Sequence, residues 1–193
     1  NDSTKLLVLV KANAYGHGAV EFASLMEEAG ADYLAVALPV EGVELREAGI
    51  KSPIMVLTAG TDFFNEIIDN ELEPGIPNIY SLKALCDVLQ KRGVKDFPIH
   101  IKLDTGMHRL GFMTEELDEL TEFLKDCNYV KVKSVYSHLA AADEPDSDDF
   151  TLGQIALFKK NADRLSDSIG YRPMYHVLNS AGIERFPQYQ FDM

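Results

Sequence analysis

Six apolar-rich runs recur along the chain, separated by stretches of helical periodicity that often close on a glycine. Leu6–Val10, Tyr33–Leu38, Ile54–Leu57, Ile99–Asp104, Val132–His138 and Met174–Leu178 read as strands. Glu73–Ile76 reads as a short strand near an edge or bend, because Pro74 lies within it and Pro77 follows it. Between the strands, apolar stripes predict helices over Ala19–Ala29, from Pro39 to a close at Gly49, and over Phe63–Asn70, Ser81–Arg92 and Thr114–Lys125. Thr151 is placed to cap a longer helix with Leu152, Ile155, Phe158, Ala162 and Leu165 inside. Phe191-Asp-Met193 looks like the start of one more strand. Strands buried on both faces, each followed by a helix, require a parallel sheet. The expected fold is therefore α/β, a (β/α)8 TIM-type barrel in one domain over residues 1–193, with about seven strands present. At 193 residues the chain is short of the roughly 250 of a closed barrel, so the barrel is expected to be incomplete at both ends.

In parallel sheets, reactive groups gather at the carboxyl ends of the strands. Lys11 ends the first apolar run, where lost hydration would lower the pKa of its ammonium and free an amine for Schiff-base chemistry; the alternative is a solvated lysine capping a strand. Gly16-His17-Gly18 lets the backbone approach a ligand before a helix begins, an arrangement suited to phosphate. Alternation along Ile99–Asp104 sends His100, Lys102 and Asp104 to one face. They form either an internal Lys102–Asp104 pair with Arg109 or a polar floor under a ligand. His138 closes a strand, a position that more often holds a structural histidine. Asn179-Ser180 follows His176 and reads as a good helix cap or as a phosphate site. The acidic loop Asp143–Asp149 lacks the glycine and distant glutamate of a calcium loop, so no metal is expected.

A formal charge of −13 argues against a nucleic-acid surface and against anionic membranes. No apolar run approaches the ~20 residues of a membrane span, no signal-peptide pattern opens the chain, and the cytoplasm is the expected compartment. The two cysteines, Cys86 and Cys127, suggest neither a disulfide framework nor a zinc site.

VKANAYGHG, Val10–Gly18, closely resembles the lysine signature of the alanine racemases, pyridoxal 5'-phosphate (PLP) enzymes built on a barrel. KLDTGMHRLGF, Lys102–Phe112, is similar to that family's second signature, and His176–Ser180 to a third stretch. The resemblance implies that Lys11 carries PLP and acts as base on one face of the substrate Cα, with Tyr15 on the cofactor phosphate. It places Arg109 as a catalytic residue near the substrate carboxylate, and Lys102, carbamylated in some members, behind it. His138 would lie against the cofactor ring, Asn179 and Ser180 at the phosphate, and His176 would support an arginine beyond this chain. His108 stands where many relatives have glycine. The implied reaction is interconversion of L- and D-alanine for peptidoglycan by two-base proton transfer. The second base would be a tyrosine from the partner subunit of a homodimer, carried on a C-terminal β domain absent here. The isolated residues are expected to bind PLP weakly and turn over little. A broad-specificity amino-acid racemase, a non-catalytic PLP carrier and a piece of a larger fusion are the alternatives.

Overall fold

The computed structural model describes residues 3–193. Seven parallel strands lie side by side in chain order: β1 (Leu7–Leu9), β2 (Tyr33–Val36), β3 (Ile54–Val56), β4 (Glu73–Ile76), β5 (Phe97–Lys102), β6 (Val130–Tyr136) and β7 (Met174–His176). Helices α1 (Ala19–Glu28), α2 (Pro39–Glu47), α3 (Phe64–Asp69), α4 (Ile79–Arg92), α5 (Leu117–Asp126), α6 (Asp148–Ile169) and α7 (Ser180–Arg185) occupy the connections. Asn78 caps α4 by accepting from the Ser81 N–H, and Gly93 ends it at φ +68°, a conformation in which a Cβ is costly.

The main core lies between sheet and helices. Ile99, Ile101, Val132, Val135 and Tyr175 point outward into it and meet Leu85, Leu120, Phe158 and Leu165. The inner face of the curled sheet carries a smaller apolar cluster, Ala35, Met55 and Tyr136 with Leu7, Leu9 and Leu57. Gly75 makes room for this filling, since a Cβ there would sit 2.5 Å from the Tyr136 hydroxyl. Strand β5 alternates as its sequence predicts. Its neighbour β6 does not: Ile99 pairs with Val132 but His100 with Ser134, so Lys133 is one residue extra. Such a bulge re-aims the residues that follow it, here turning Ser134 toward His100.

Among the described residues no strand pairing joins β7 directly to β1. The segment 191–193 lies between them instead. Asp192 donates its N–H to the Tyr175 carbonyl (3.0 Å) and accepts from the Lys5 N–H (2.9 Å), while its carboxylate pairs with Arg172.

Three expectations need correction. Glu73–Ile76 is a central strand, buried throughout. It pairs with β3 through Glu73 and Pro74 and with β5 only from Gly75 onward, so the missing proline N–H falls before the second pairing begins. Thr151 lies inside α6, which begins three residues earlier, and is buried without capping anything. Strand β1 is half-buried rather than enclosed, because it forms one edge of the sheet. No described helix is long and apolar enough to cross a membrane.

Candidate active site

Lys11 stands just past β1, and the chain then makes an uncommon turn. Ala12, Asn13, Ala14 and Tyr15 all adopt left-handed helical geometry, φ 50–55°. Each such residue costs roughly 1–2 kcal/mol when it carries a Cβ. Surrounding bonds offset this strain. The Glu41 carboxylate of α2 accepts the N–H groups of Ala12 (2.7 Å), Ala37 (2.7 Å) and Leu38 (2.9 Å). Asn13 Oδ1 accepts the Ala19 N–H at 2.7 Å, and Ala14 is buried. The turn brings the Tyr15 ring under the Lys11 ammonium, 5.9 Å from its centroid. It also corrects one expectation. The backbone around Gly16-His17-Gly18 is not free for an anion: His17 and Gly18 N–H groups bond to Ala14 and Asn13 carbonyls, and Ala19 N–H to Asn13 Oδ1.

The carboxyl ends of the strands surround a cavity of about 420 Å³, lined by Lys11, Lys102, Arg109, His138, His176 and Asn179 above a wall of Leu7, Leu9, Met55 and Leu57. A second cavity of about 760 Å³ lies against β1 and shares Leu7, Leu9, His176, Leu178 and Asn179 with the first. Tyr15 and Ser180 line this second space, so the predicted residues fall along one continuous hollow. Tyr15 is 61% exposed and Ser180 is exposed.

Three cations share the first cavity, and among the described residues none of them makes an ion pair with a carboxylate. Of the two readings of this strand end, the internal Lys102–Asp104 pair does not form. Lys102 is buried with its ammonium 5.6 Å above the centre of the Tyr136 ring. Asp104 instead holds a loop, its Oδ1 accepting the N–H groups of Gly106 and His108. Burial, then the Arg109 guanidinium and the Lys11 ammonium, hold the Lys102 amine below the usual lysine range, against a weaker opposite pull from Asp104. Burial followed by Lys102, Arg109 and Lys11 lowers the His138 imidazole too. The mouth therefore presents a concentrated positive field to a small anion.

Arg109 rides on the loop 103–111, whose ends meet. Phe112 donates its N–H to the Lys102 carbonyl (2.8 Å), and Asp104 donates to Phe112 (2.9 Å). The crossing is close at Gly111, φ +130°, where a Cβ would lie 2.6 Å from both Asp104 N and Leu103 C. Gly111→Ala is expected to cost about 2–4 kcal/mol in urea unfolding, because strained φ and a backbone clash add. An alanine tolerated to within about 0.5 kcal/mol would show that the loop yields freely.

Beneath the cations runs a chain of polar side chains, buried from Glu73 to Ser134 and half-buried at His176, that the sequence did not reveal. Glu73 Oε2 meets His100 Nε2 (2.9 Å), His100 Nδ1 meets Ser134 Oγ (2.7 Å), and Ser134 Oγ meets His176 Nε2 (2.9 Å). With Glu73 as the acceptor-only end, one assignment uses every group once. His100 Nε2–H donates to Glu73, Ser134 O–H to His100 Nδ1, and His176 Nε2–H to Ser134. His176 Nδ1 is then left as an acceptor, its ring stacked on Tyr136 at 5.2 Å.

Burial first, then His100, push the His176 imidazole down to about 3 from its ordinary 6.5. The fold thus favours neutral His176, a contribution fully present above pH 6.5 and lost as pH falls toward 3. Urea stability is expected to fall between pH 6.5 and 5, with this ring contributing up to about 1.4 kcal/mol per pH unit. His176→Gln should flatten that slope; equal slopes in both proteins would remove His176 as the cause.

Asn179 is committed locally, its Oδ1 accepting the Gly182 N–H (2.9 Å) and its Nδ2 donating to the Leu139 carbonyl (3.2 Å). The cap reading of Asn179 therefore holds physically, whatever else its neighbour Ser180 meets. Within the acidic loop, Asp148 is not solvated alone but pairs with Arg185 at 2.8 Å.

The sequence matches the family described as "Alanine racemase, N-terminal domain" across residues 1–193. It is 38% identical over 191 residues to an alanine racemase of Clostridium perfringens, covering 97% of this chain and 49% of that protein. An alanine racemase of Synechocystis is 38% identical over 192 residues, 98% of this chain and 51% of that protein. The fold superposes on the solved alanine racemase of Clostridium difficile 630 with a TM-score of 0.93 at 35% identity, over 100% of this chain and 50% of that one. The chain spans about half the length of the curated relatives it matches.

Proposed function

The chain belongs to the alanine racemase family, through that family's N-terminal domain, and from that premise we propose that it supplies the PLP-holding half of an enzyme interconverting L- and D-alanine. The single observation that carries this reading is the mouth itself: Lys11, Lys102 and Arg109 around one cavity, with no carboxylate paired to them among the described residues. A phosphate ester and an amino-acid carboxylate are the anions such a donor set fits, and Leu7, Leu9, Met55 and Leu57 offer an apolar wall to a flat ring.

Lys11 would hold the cofactor through its Nζ, with Tyr15 and Ser180 at the phosphate end of the hollow. The chemistry that PLP would supply there is a sink for the electron pair left on the substrate Cα, which would make that carbon more acidic. Lys11 Nζ takes and returns the proton at one face of Cα. Arg109 and Lys102 orient the substrate carboxylate, and His138 closes the side of the ring. His176, held neutral and fixed by Ser134, gives a set acceptor at Nδ1. A carbamate on Lys102 would replace one cation by an anion and draw Arg109 toward it, a reaction for which a lysine of lowered pKa is suited. Racemisation also needs a group on the opposite face, which we assign, by family resemblance, to a tyrosine of the partner subunit in a homodimer.

A PLP titration followed by visible absorbance, borohydride reduction and peptide mapping tests this reading. A saturable signal that reduction fixes on the Lys11 peptide is the expected result. A folded chain that gives no specific signal overturns it.

A further inference from the structure

Both cysteines lie on the helical side of the sheet, away from the cavity. Cys86 sits within α4 and Cys127 immediately follows α5, 41 residues later, yet their sulfurs are 3.3 Å apart. Cys86 is buried and Cys127 half-buried, and both are free thiols. A groove of about 340 Å³ opens onto them, bordered by the carboxylates of Asp87, Glu122 and Asp126 and the rings of Phe123 and Tyr129.

We propose that Cys86 and Cys127 form a dithiol site oxidised by hydroperoxides, with Cys127 the attacking sulfur and Cys86 the resolving one, closing to a disulfide between α4 and the end of α5. The two sulfurs are not equivalent. Hydrogen bonding from Cys86, helped by the N–H groups of Tyr129 and Val130, lowers the Cys127 thiol, and the same bond with burial raises Cys86. The more accessible sulfur is thus also the one favoured as thiolate, the form that attacks. That thiolate attacks one peroxide oxygen; the O–O bond breaks, the leaving oxygen takes a proton from water, and Cys127 becomes a sulfenic acid. Cys86 then attacks the Cys127 sulfur, giving up its proton as hydroxide leaves to form water. Two thiols lose two electrons in all, and the peroxide gains them. Closure from 3.3 Å to a bond of about 2.05 Å needs little more than 1 Å of side-chain movement. The acidic rim disfavours anionic oxidants such as glutathione disulfide and leaves small uncharged hydroperoxides as the fitting class.

The test exposes the full chain to hydrogen peroxide or glutathione disulfide, alkylates the denatured product with N-ethylmaleimide and weighs it. Peroxide is expected to give a monomer about 2 Da lighter with no alkylated thiol, faster than glutathione disulfide does. Cys86→Ser should stop at a dimedone-trapped sulfenic acid on Cys127, and Cys127→Ser should oxidise at least about tenfold more slowly. A wild-type comparison needs no variant to fold: the native chain should close faster than the urea-unfolded one. Two alkylated thiols after peroxide, disulfides only between chains, or equal native and unfolded rates would overturn the proposal.

Discussion

Lys11→Ala is expected to abolish borohydride-fixed labelling by PLP, a fall of at least about a hundredfold, while leaving the chain folded. The side chain is half-buried at the cavity mouth, and its one close aromatic neighbour is Tyr15 at 5.9 Å, so truncation opens no core cavity. Other amines are poorly placed to substitute. Lys5 is paired with Asp32 at 3.0 Å, and Lys102 lies buried over Tyr136. Lys11→Arg separates the two properties of the residue. It preserves the positive field but not the nucleophilic amine, so reversible binding of the phosphate should survive while the reducible adduct disappears. An adduct that persists in Lys11→Ala and maps to the Lys102 peptide would reverse the assignment.

Glu73→Leu should be the most destabilising single change on the inner face, by about 3–5 kcal/mol. The carboxylate meets His100 Nε2 at 2.9 Å with His100 fully buried. Leucine leaves the buried His100 N–H without its acceptor, and an unpaired buried donor costs more than the original bond contributed. A loss of that size is a large share of the 5–15 kcal/mol typical of a folded domain. Glu73→Gln keeps an acceptor and should lose less. The double change Glu73→Leu with His100→Leu should recover part of the loss, because neither partner is then stranded. Urea unfolding at pH 7 of these variants and of His100→Leu alone closes the cycle; additive losses in the double variant would mean the two residues do not interact.

Much of the sheet was legible because burial on both faces leaves an unmistakable pattern. Runs such as Tyr33–Val36 and Ile54–Val56 have no polar residue to confuse the reading, and the helices between them carry regular stripes. The strands end sooner than the apolar runs suggest. Asp104 and His138 sit in loops just past β5 and β6, since loops at a barrel mouth keep apolar residues such as Leu103 and Leu139 under cover. What the sequence hides is mostly long-range or chiral. Strict alternation would set Ser134 beside Val132, and only the extra residue Lys133 turns it to His100. Ala12–Tyr15 carry no glycine to announce a left-handed turn, and the bonds that hold it come from Glu41. The meeting of Cys86 and Cys127 depends on how α4 and α5 pack, which neither stretch states alone. For the candidate site, local wording placed Lys11, Lys102, Arg109, His138 and His176 near one mouth, whereas the Glu73–His100–Ser134 support beneath them required the fold.

The sequential strand order has a kinetic consequence. Each strand pairs with the next one along the chain, so the sheet is able to assemble by adding neighbouring strand–helix units, each closing a modest loop. The bond from Lys5 N–H to the Asp192 carbonyl is of another kind, since its partners stand at opposite ends of the described chain. It rewards ordering only after nearly everything between has folded, and so it belongs to the last step of folding and the first of unfolding. Amide hydrogens along β1, beside the seam between β7 and β1, should therefore exchange with solvent sooner than those of β5, which is flanked by a strand on either side.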